Sequence, residues 1–222
     1  MSLAQKVNVL RASVMGANDG IISIAGIVIG VAAATSNARS ILIAGLSGTL
    51  AGMISMCMGE YVSVSTQKDS QKMALLSAKQ RLQNQYQHEF DYVQKKYEAQ
   101  DIDPQLAKQA TKELMEKDAL GTAVQERYGF NPNEFTRPYA AAIASFISFP
   151  TGSILPMVAV TVSPANVRIL ATAIAVLIAL LITGYFAAVL GKSNRIKSMI
   201  RNAAAGLLTM GVTYLIGQLF AR

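Results

Sequence analysis

The 222-residue sequence contains one cysteine and one histidine, and only 15% of its residues are charged. A single cysteine excludes an intramolecular disulfide and a zinc site built from several cysteines. Catalysis by a cysteine–histidine pair is also disfavoured, because Cys57 lies in an apolar stretch and His88 in a polar one. Soluble domains usually carry about 25% charged residues. The shortage of charge, together with a 52% hydrophobic content, therefore favours a membrane protein.

Enzyme signatures are also missing. The sequence shows no nucleophile beside a base and no dinucleotide-binding fingerprint, and Gly45, Gly48 and Gly52 fit helix packing better than a phosphate-binding loop. We predict that the protein is not an enzyme and has no cofactor. The net charge of +7 raises the question of nucleic acid, but the polar segment from Lys68 to Arg137 has eleven basic and eleven acidic residues and is nearly neutral. No nucleic-acid partner is expected.

Five apolar stretches are long enough to cross a bilayer as helices, which takes about 20 residues each. They cover about residues 12–35, 41–66, 138–162, 167–190 and 202–220. Ser2 and Gln5 have the spacing of a capping box, so the first helix is expected to begin ahead of the membrane. The sequence predicts an all-α integral membrane protein in three parts: two transmembrane helices in residues 1–66, a cytoplasmic helical insertion in residues 67–137, and three further transmembrane helices in residues 138–222.

The basic residues predict the orientation, because cytoplasmic loops collect lysine and arginine. If the N-terminus is cytoplasmic, 17 of the 20 basic residues lie on the cytoplasmic side, and only Arg39, Arg168 and Arg222 lie outside. We therefore predict a cytoplasmic N-terminus. The compact chain, in which no targeting segment is seen, suggests the cell membrane of a prokaryote.

The insertion is expected to be helical. A polar run from about Gln67 to Ala99 extends the second span, and Asp103 with Pro104 caps a second helix. Its apolar stripe is expected to contain Leu106, Ala110, Leu114 and Met115. The stretch from Asn131 to Pro138 is a predicted loop that leads back to the membrane.

Asp19 lies within the first span, where a charge costs at least about 2.5–3.5 kcal/mol. It should therefore face protein, water or a cation. At about 100° per residue, its face of the helix carries Ala12, Met15, Gly16, Ser23, Gly26 and Gly30. Gly26 and Gly30 form a GxxxG pair that permits close approach of another helix. The opposite face, which is expected to contact lipid, carries Val14, Ile21, Ile24 and Val28.

The second span carries a similar combination of groups, since Met53, Met56, Cys57 and Glu60 share an arc of about 100°. Carboxylates with thioethers suit Fe²⁺ better than Mg²⁺ or Ca²⁺, with Mn²⁺, Co²⁺ and Zn²⁺ left open. Carboxylates also take protons, so exchange of metal for H⁺ is a natural coupling. One chain offers too few ligands for a closed site, whereas a symmetric dimer through the glycine faces would double them. The alternatives are packing for Met53, an inert Cys57 and a solvated Glu60 near the interface.

Two motifs resemble a known family. Ala17-Asn18-Asp19-Gly20-Ile21-Ile22-Ser23 and Ser55-Met56-Cys57-Met58-Gly59-Glu60-Tyr61 are similar to motifs of the vacuolar iron transporters, which include yeast calcium-cross-complementing transporters and plant nodulin-like members. Asp118-Ala119-Leu120-Gly121 and the stretch from Arg137 to Pro156 also resemble the family.

The resemblance implies a five-span homodimer that exports Fe²⁺, and often Mn²⁺, from the cytosol in exchange for protons. It implies that Asp19 and Met56 line the path, with Glu60 in the shared Gly-Glu motif. We add Met15 and Met53 as candidate ligands. The alternative hypothesis is a membrane-anchored metal sensor or interaction protein without transport.

The resemblance also implies a cytoplasmic insertion whose glutamates gather metal. Where relatives show Glu pairs three residues apart, this sequence has Ala78 with Arg81 and Glu89 with Tyr92, so Glu89 is the retained acid. The other candidate ligands of the insertion are Glu113, Met115 and Glu116, for which a solvated helix face is the alternative.

Overall fold

The structure is a computed structural model that describes residues 3–221, and the side chains of residues 6–221. Within that range it contains seven helices and no strand, which confirms the all-α prediction. The helices are α1 (Leu3–Ala34), α2 (Ala38–Asn84), α3 (Tyr86–Glu98), α4 (Pro104–Tyr128), α5 (Pro138–Val162), α6 (Arg168–Leu190) and α7 (Arg195–Leu219). The predicted capping box involves Ser2, which lies outside the described residues.

Five of these helices are long and apolar enough to cross a membrane, as predicted. The candidate spans are Lys6–Ala34, Ala38–Asn84, Pro138–Val162, Arg168–Leu190 and Arg195–Leu219. The chain forms two compact units: one comprises Leu3–Val62 and the chain from Pro138 onward, and the other is Ser63–Arg137. We call them the membrane unit and the insertion unit.

Helix α1 is the centre of the membrane unit, where it packs against α5, α6 and α7. The crossing with α5 is close because both helices present glycine. A Cβ atom on Gly20 would overlap the carbonyl oxygen of Phe149, and one on Gly152 would overlap the carbonyl oxygen of Ala17. Small residues that let backbones approach in this way are typical of helix packing in membranes.

The predicted lipid face of α1 is wrong. Ile21, Ile24 and Val28 are almost fully buried, and they belong to the two apolar clusters of the membrane unit. The glycine face is occupied within the same chain as well, since Gly26 and Gly30 pack against Thr213 of α7. Helical periodicity sorts residues into faces, but a helix at the centre of a bundle has protein on several sides. The GxxxG pair of α1 is therefore not available to a second copy.

The insertion unit differs from the prediction in two respects. The helix that continues from the second span ends at Asn84, because Gln85 adopts a non-helical conformation, and α3 then begins at Tyr86. The expected continuous helix to Ala99 is thus wrong. The apolar stripe of α4 is also displaced: Met115 is buried, but Leu106 and Leu114 are exposed. The buried residues of α4 are Ala107, Thr111, Met115, Ala123 and Val124.

The caps of α4 agree with the sequence. Asp103 accepts hydrogen bonds from the backbone N–H groups of Gln105 and Leu106, and Pro104 occupies the first turn. Inside the helix Asp118 leaves the helical conformation, and its Oδ1 accepts a hydrogen bond from the N–H of Gly121 at 2.8 Å. Such a side chain caps the helix that restarts beyond it. The resulting kink falls on the Asp118–Gly121 motif.

Candidate metal site

Asp19 lies near the middle of the span Lys6–Ala34 and is exposed on the surface of the chain. Its Oδ1 accepts a hydrogen bond from the Ser23 hydroxyl, one helical turn away, at 2.8 Å. Met15, one turn earlier on the same face, is 49% exposed. The carboxylate and the thioether therefore project from the same side of α1, outside the packed core of the chain.

The contacts between α1 and α2 determine which residues share a depth. The pairs in contact are Arg11 with Glu60, Ile27 with Gly48, and Val28 with Gly45. This antiparallel register places Asp19 at about the same depth along the helices as Met53 and Met56. Asp19 thus lies at the level of the two methionines, whereas Glu60, which contacts Arg11, lies about two helical turns away.

Met53 and Met56 are half-buried, and both pack against the apolar cluster that contains Ile24, Val28 and Phe149. Cys57 is a free thiol of intermediate exposure. A flexible thioether fills irregular gaps in a core, so the packing alternative for these methionines has a structural basis. Both side chains also retain some exposure, which a ligand needs.

Glu60 is 8% exposed and is paired with Arg11, whose Nη2 atom lies 3.1 Å from the Oε2 atom of Glu60. A solvated Glu60 is therefore not what the structure shows. In the sequence Arg11 lies two helical turns before Asp19, but the fold pairs it with Glu60. The short connection between α1 and α2 was the available signal, because residues equally far from such a turn lie side by side.

Within the described chain, no group of three or more His, Cys, Asp or Glu side chains is placed to hold a metal ion. Asp19 and Glu60 thus do not form a closed site together in one copy. Sulfur ligands from methionine would add donors, but a divalent ion coordinated by oxygen takes about six ligands. One copy of the chain therefore offers too few of these ligands to enclose a metal ion.

Glu89 is the central charge of the insertion unit and is 0% exposed. Its Oε1 accepts hydrogen bonds from Arg81 at 2.8 Å and from Arg127 at 2.9 Å. The guanidinium of Arg127 also lies over the ring of Tyr92, 3.7 Å from its centroid, and Arg81 donates to the Tyr128 hydroxyl. This network joins the ends of α2 and α4 to α3 through one buried carboxylate.

The other candidate ligands of the insertion lie on α4. Glu113 and Glu116 are exposed, and their described partners are Gln109 and Lys112 on the same helix. Met115 lies between them but points into the core, with 3% exposure. The two glutamates are thus accessible, whereas the sulfur is not.

The similarity to known proteins extends over most of the chain. The VIT family profile matches residues 10–218, a range that includes the insertion unit and nearly all of the five spans. The chain belongs to the VIT family. Among its relatives, the vacuolar iron transporter of Acanthamoeba castellanii is 34% identical over 95% of this chain and 78% of the relative. The vacuolar iron transporter homolog 2.1 of Arabidopsis thaliana is 30% identical over 95% of this chain and 80% of the relative.

Membership of the VIT family confirms the resemblance that the two motifs predicted. A rice relative, vacuolar iron transporter homolog 1 of Oryza sativa subsp. japonica, is 34% identical over 95% of this chain and 73% of its own length. Together with the five apolar helices, the match identifies this VIT-family chain as a multi-pass membrane protein.

Proposed function

We propose that this chain is a homodimeric transporter that carries Fe²⁺, and Mn²⁺ as a second substrate, out of the cytosol in exchange for protons. Asp19, Met56 and Glu60 of both subunits bind the ion in the membrane, and Met15 and Met53 supply further thioethers. The N-terminus and the insertion are cytoplasmic. In a prokaryote, the membrane would be the cell membrane.

The observation that carries this proposal is the exposure of Asp19 at mid-span. In lipid, such a charge costs at least about 2.5–3.5 kcal/mol, and the Ser23 hydroxyl that contacts it is neutral. A second copy of the chain that covers this face would shield the carboxylate from lipid. It would also bring a second Asp19 near the first, since a twofold axis repeats every residue of the interface. A divalent cation between two carboxylates would relieve their repulsion.

The ligand chemistry supports Fe²⁺ as the main substrate. Carboxylates and thioethers together favour a first-row ion of intermediate softness. One relative is named a vacuolar iron transporter, and two others are named vacuolar iron transporter homologs. Mn²⁺ depends more on the oxygen ligands, so it would use Asp19 and Glu60.

Proton coupling follows from the same groups. A carboxylate that releases the metal at the far side can take a proton there and return with it. Glu60 is engaged by Arg11 through Oε2, so the guanidinium competes with a metal ion for the carboxylate. We propose that the arriving cation displaces Arg11.

The insertion plays two roles in this proposal. Glu113 and Glu116, being exposed on α4, attract metal ions from the cytosol. Glu89 is held by two arginines, and we propose that it mainly maintains the fold of the insertion.

The test uses purified protein in liposomes, with Fe²⁺ and Mn²⁺ entry followed under an imposed pH gradient. Asp19→Asn keeps the shape of the side chain and removes its charge. We expect its flux to fall at least about tenfold, which corresponds to a loss of about 1.4 kcal/mol of stabilisation. The matched control is Asp69→Asn, because Asp69 is an exposed aspartate whose described ion pair with Lys72 spans 3.7 Å.

Two results would reject the proposal. If correctly inserted wild-type protein moved neither Fe²⁺ nor Mn²⁺ into the liposomes, the protein would not be a transporter of these metals. An Asp19→Asn variant that transports like the Asp69→Asn control would show that the mid-span carboxylate has no part in transport. Full activity of Asp19→Asn in cells would favour the sensor or interaction protein instead.

Light scattering of the detergent-solubilised chain tests the dimer, which should have twice the protomer mass.

A further inference from the structure

A cavity of about 420 Å³ lies between the first turns of α1 and the end of α6, within the membrane unit. Its apolar walls are formed by Val7, Leu10 and Val14 of α1 and by Ala187 and Leu190 of α6. Binding cavities for organic ligands have volumes of about 300–1,000 Å³ and predominantly apolar walls. This cavity has the size and the lining of such a site.

Two cations also line the cavity, Arg11 from α1 and Lys192 from the segment after α6. The position of Lys192 is fixed by the end of the helix. Lys192 has a positive φ of 49°, and the neighbouring Ser193 N–H bonds back to the carbonyl of Ala188 at 2.9 Å. Hydrogen bonds of this kind close the last turn of a helix, so the backbone that carries Lys192 is anchored to α6.

Arg11 can serve this cavity while it is paired with Glu60. A guanidinium has five N–H donors. The hydrogen bond to Glu60 uses one at Nη2, which leaves the other N–H groups for a ligand in the cavity. The Arg11 side chain is 47% exposed. With Glu60 counted, the three charged groups leave a net positive charge at this end of the cavity, which attracts an anion.

The cavity also lies at a defined level of the membrane unit. Arg11 lies in the second turn of the span that begins at Lys6, and Lys192 lies two residues beyond the end of the α6 span at Leu190, so both cations are near the ends of spanning segments. Lipid headgroups occupy this level of a bilayer, with acyl chains beside the apolar turns further in. Basic pockets between transmembrane helices bind anionic headgroups.

We propose that this cavity binds one anionic phospholipid. Its phosphate lies against Arg11 and Lys192, and an acyl chain occupies the apolar walls between α1 and α6. A zwitterionic lipid would fill the same walls but lacks the net negative charge that the cations select. This site shares Arg11 with the ion pair to Glu60, but lipid binding does not require transport.

The experiment is native mass spectrometry of the full chain in detergent, titrated with phosphatidylglycerol or phosphatidylcholine. We expect one phosphatidylglycerol per chain to bind more tightly than phosphatidylcholine. Lys192→Asn removes one cation with a residue that tolerates positive φ, and Lys197→Asn removes an equal charge outside the cavity. Since one such cation contributes about 1 kcal/mol, Lys192→Asn should weaken binding about fivefold. Lys197→Asn should leave it within twofold.

A second variant tests the walls. Ala187→Phe would fill the cavity from α6 and should weaken phosphatidylglycerol binding without a change in charge. Equal binding of both lipids, or equal effects of Lys192→Asn and Lys197→Asn, would overturn the proposal. If inorganic phosphate displaced phosphatidylglycerol as effectively as a competing lipid does, the cavity would be an anion site that does not need a lipid, and the proposal would be wrong. No retained lipid on the wild-type chain would also refute it.

Discussion

Replacement of Glu89 by glutamine should loosen the insertion unit. Glu89→Gln removes the buried charge that holds Arg81 and Arg127. Removal of one partner from a buried ion pair costs about 3–5 kcal/mol. The two arginine side chains are 28% and 22% exposed, so water relieves part of their lost pairing. We therefore expect the lower end, about 3 kcal/mol.

The assay is amide hydrogen exchange of the full chain in detergent, read in peptides from α3 and α4. A loss of about 3 kcal/mol corresponds to roughly hundredfold faster exchange through local opening. The insertion unit, Ser63–Arg137, would still be folded, because units of this size have stabilities of about 4–11 kcal/mol. Peptides from α6 should exchange as in the wild type.

Glu113→Gln is the matched control, since Glu113 is exposed and bonds to Gln109 on the same helix. Surface substitutions usually change stability by less than about 0.5 kcal/mol, which is roughly a twofold change in exchange. If Glu89→Gln exchanged like this control, the structural role of Glu89 would be wrong. If Mn²⁺ slowed exchange in the wild type and not in Glu89→Gln, Glu89 would be a metal ligand instead.

Three further predictions concern other parts of the chain. Met56→Leu keeps the volume and removes the sulfur, so in liposomes Fe²⁺ flux should fall more than Mn²⁺ flux; equal loss would indicate packing. Gly20→Ala should destabilise the chain by about 1–3 kcal/mol, because the new Cβ would overlap a carbonyl oxygen of α5. Thermal unfolding measures this against Gly211→Ala, where a Cβ meets nothing within 4 Å, and equal shifts in Tm would refute the close crossing. Burial, with a hydrogen bond to Glu126, raises the pKa of Tyr97 to about 12. Because an unfolded tyrosine titrates near pH 10, stability from this group should be lost as pH rises from about 10 through 12. Alkaline unfolding should be followed together with tyrosinate absorbance. The part of the stability loss that comes from Tyr97 should be absent in Tyr97→Phe.

The sequence predicted the parts of the fold that depend on local patterns. Hydropathy located all five spans, and Asp103 with Pro104 marked the start of α4. It could not predict the break at Gln85 or the buried face of α4, because both depend on how the helices of the insertion pack. The periodicity around Asp19 placed Met15 on the same exposed side of α1, but it could not show that α7 covers Gly26 and Gly30 or that protein covers Ile21.

For the candidate site, the sequence by itself determined that two carboxylates lie in apolar spans and that the chain has VIT-family motifs. Both facts depend on residues that are neighbours in the sequence, so they can be read without knowing which distant residues come into contact. Only the tertiary structure decided that Glu60 pairs with Arg11, that Asp19 remains exposed, and that Glu89 is enclosed by two arginines. Charges interact strongly only over a few ångströms. Arg11 and Glu60 are 49 positions apart in the sequence, and Glu89 and Arg127 are 38 positions apart. Only folding brings such residues within this range.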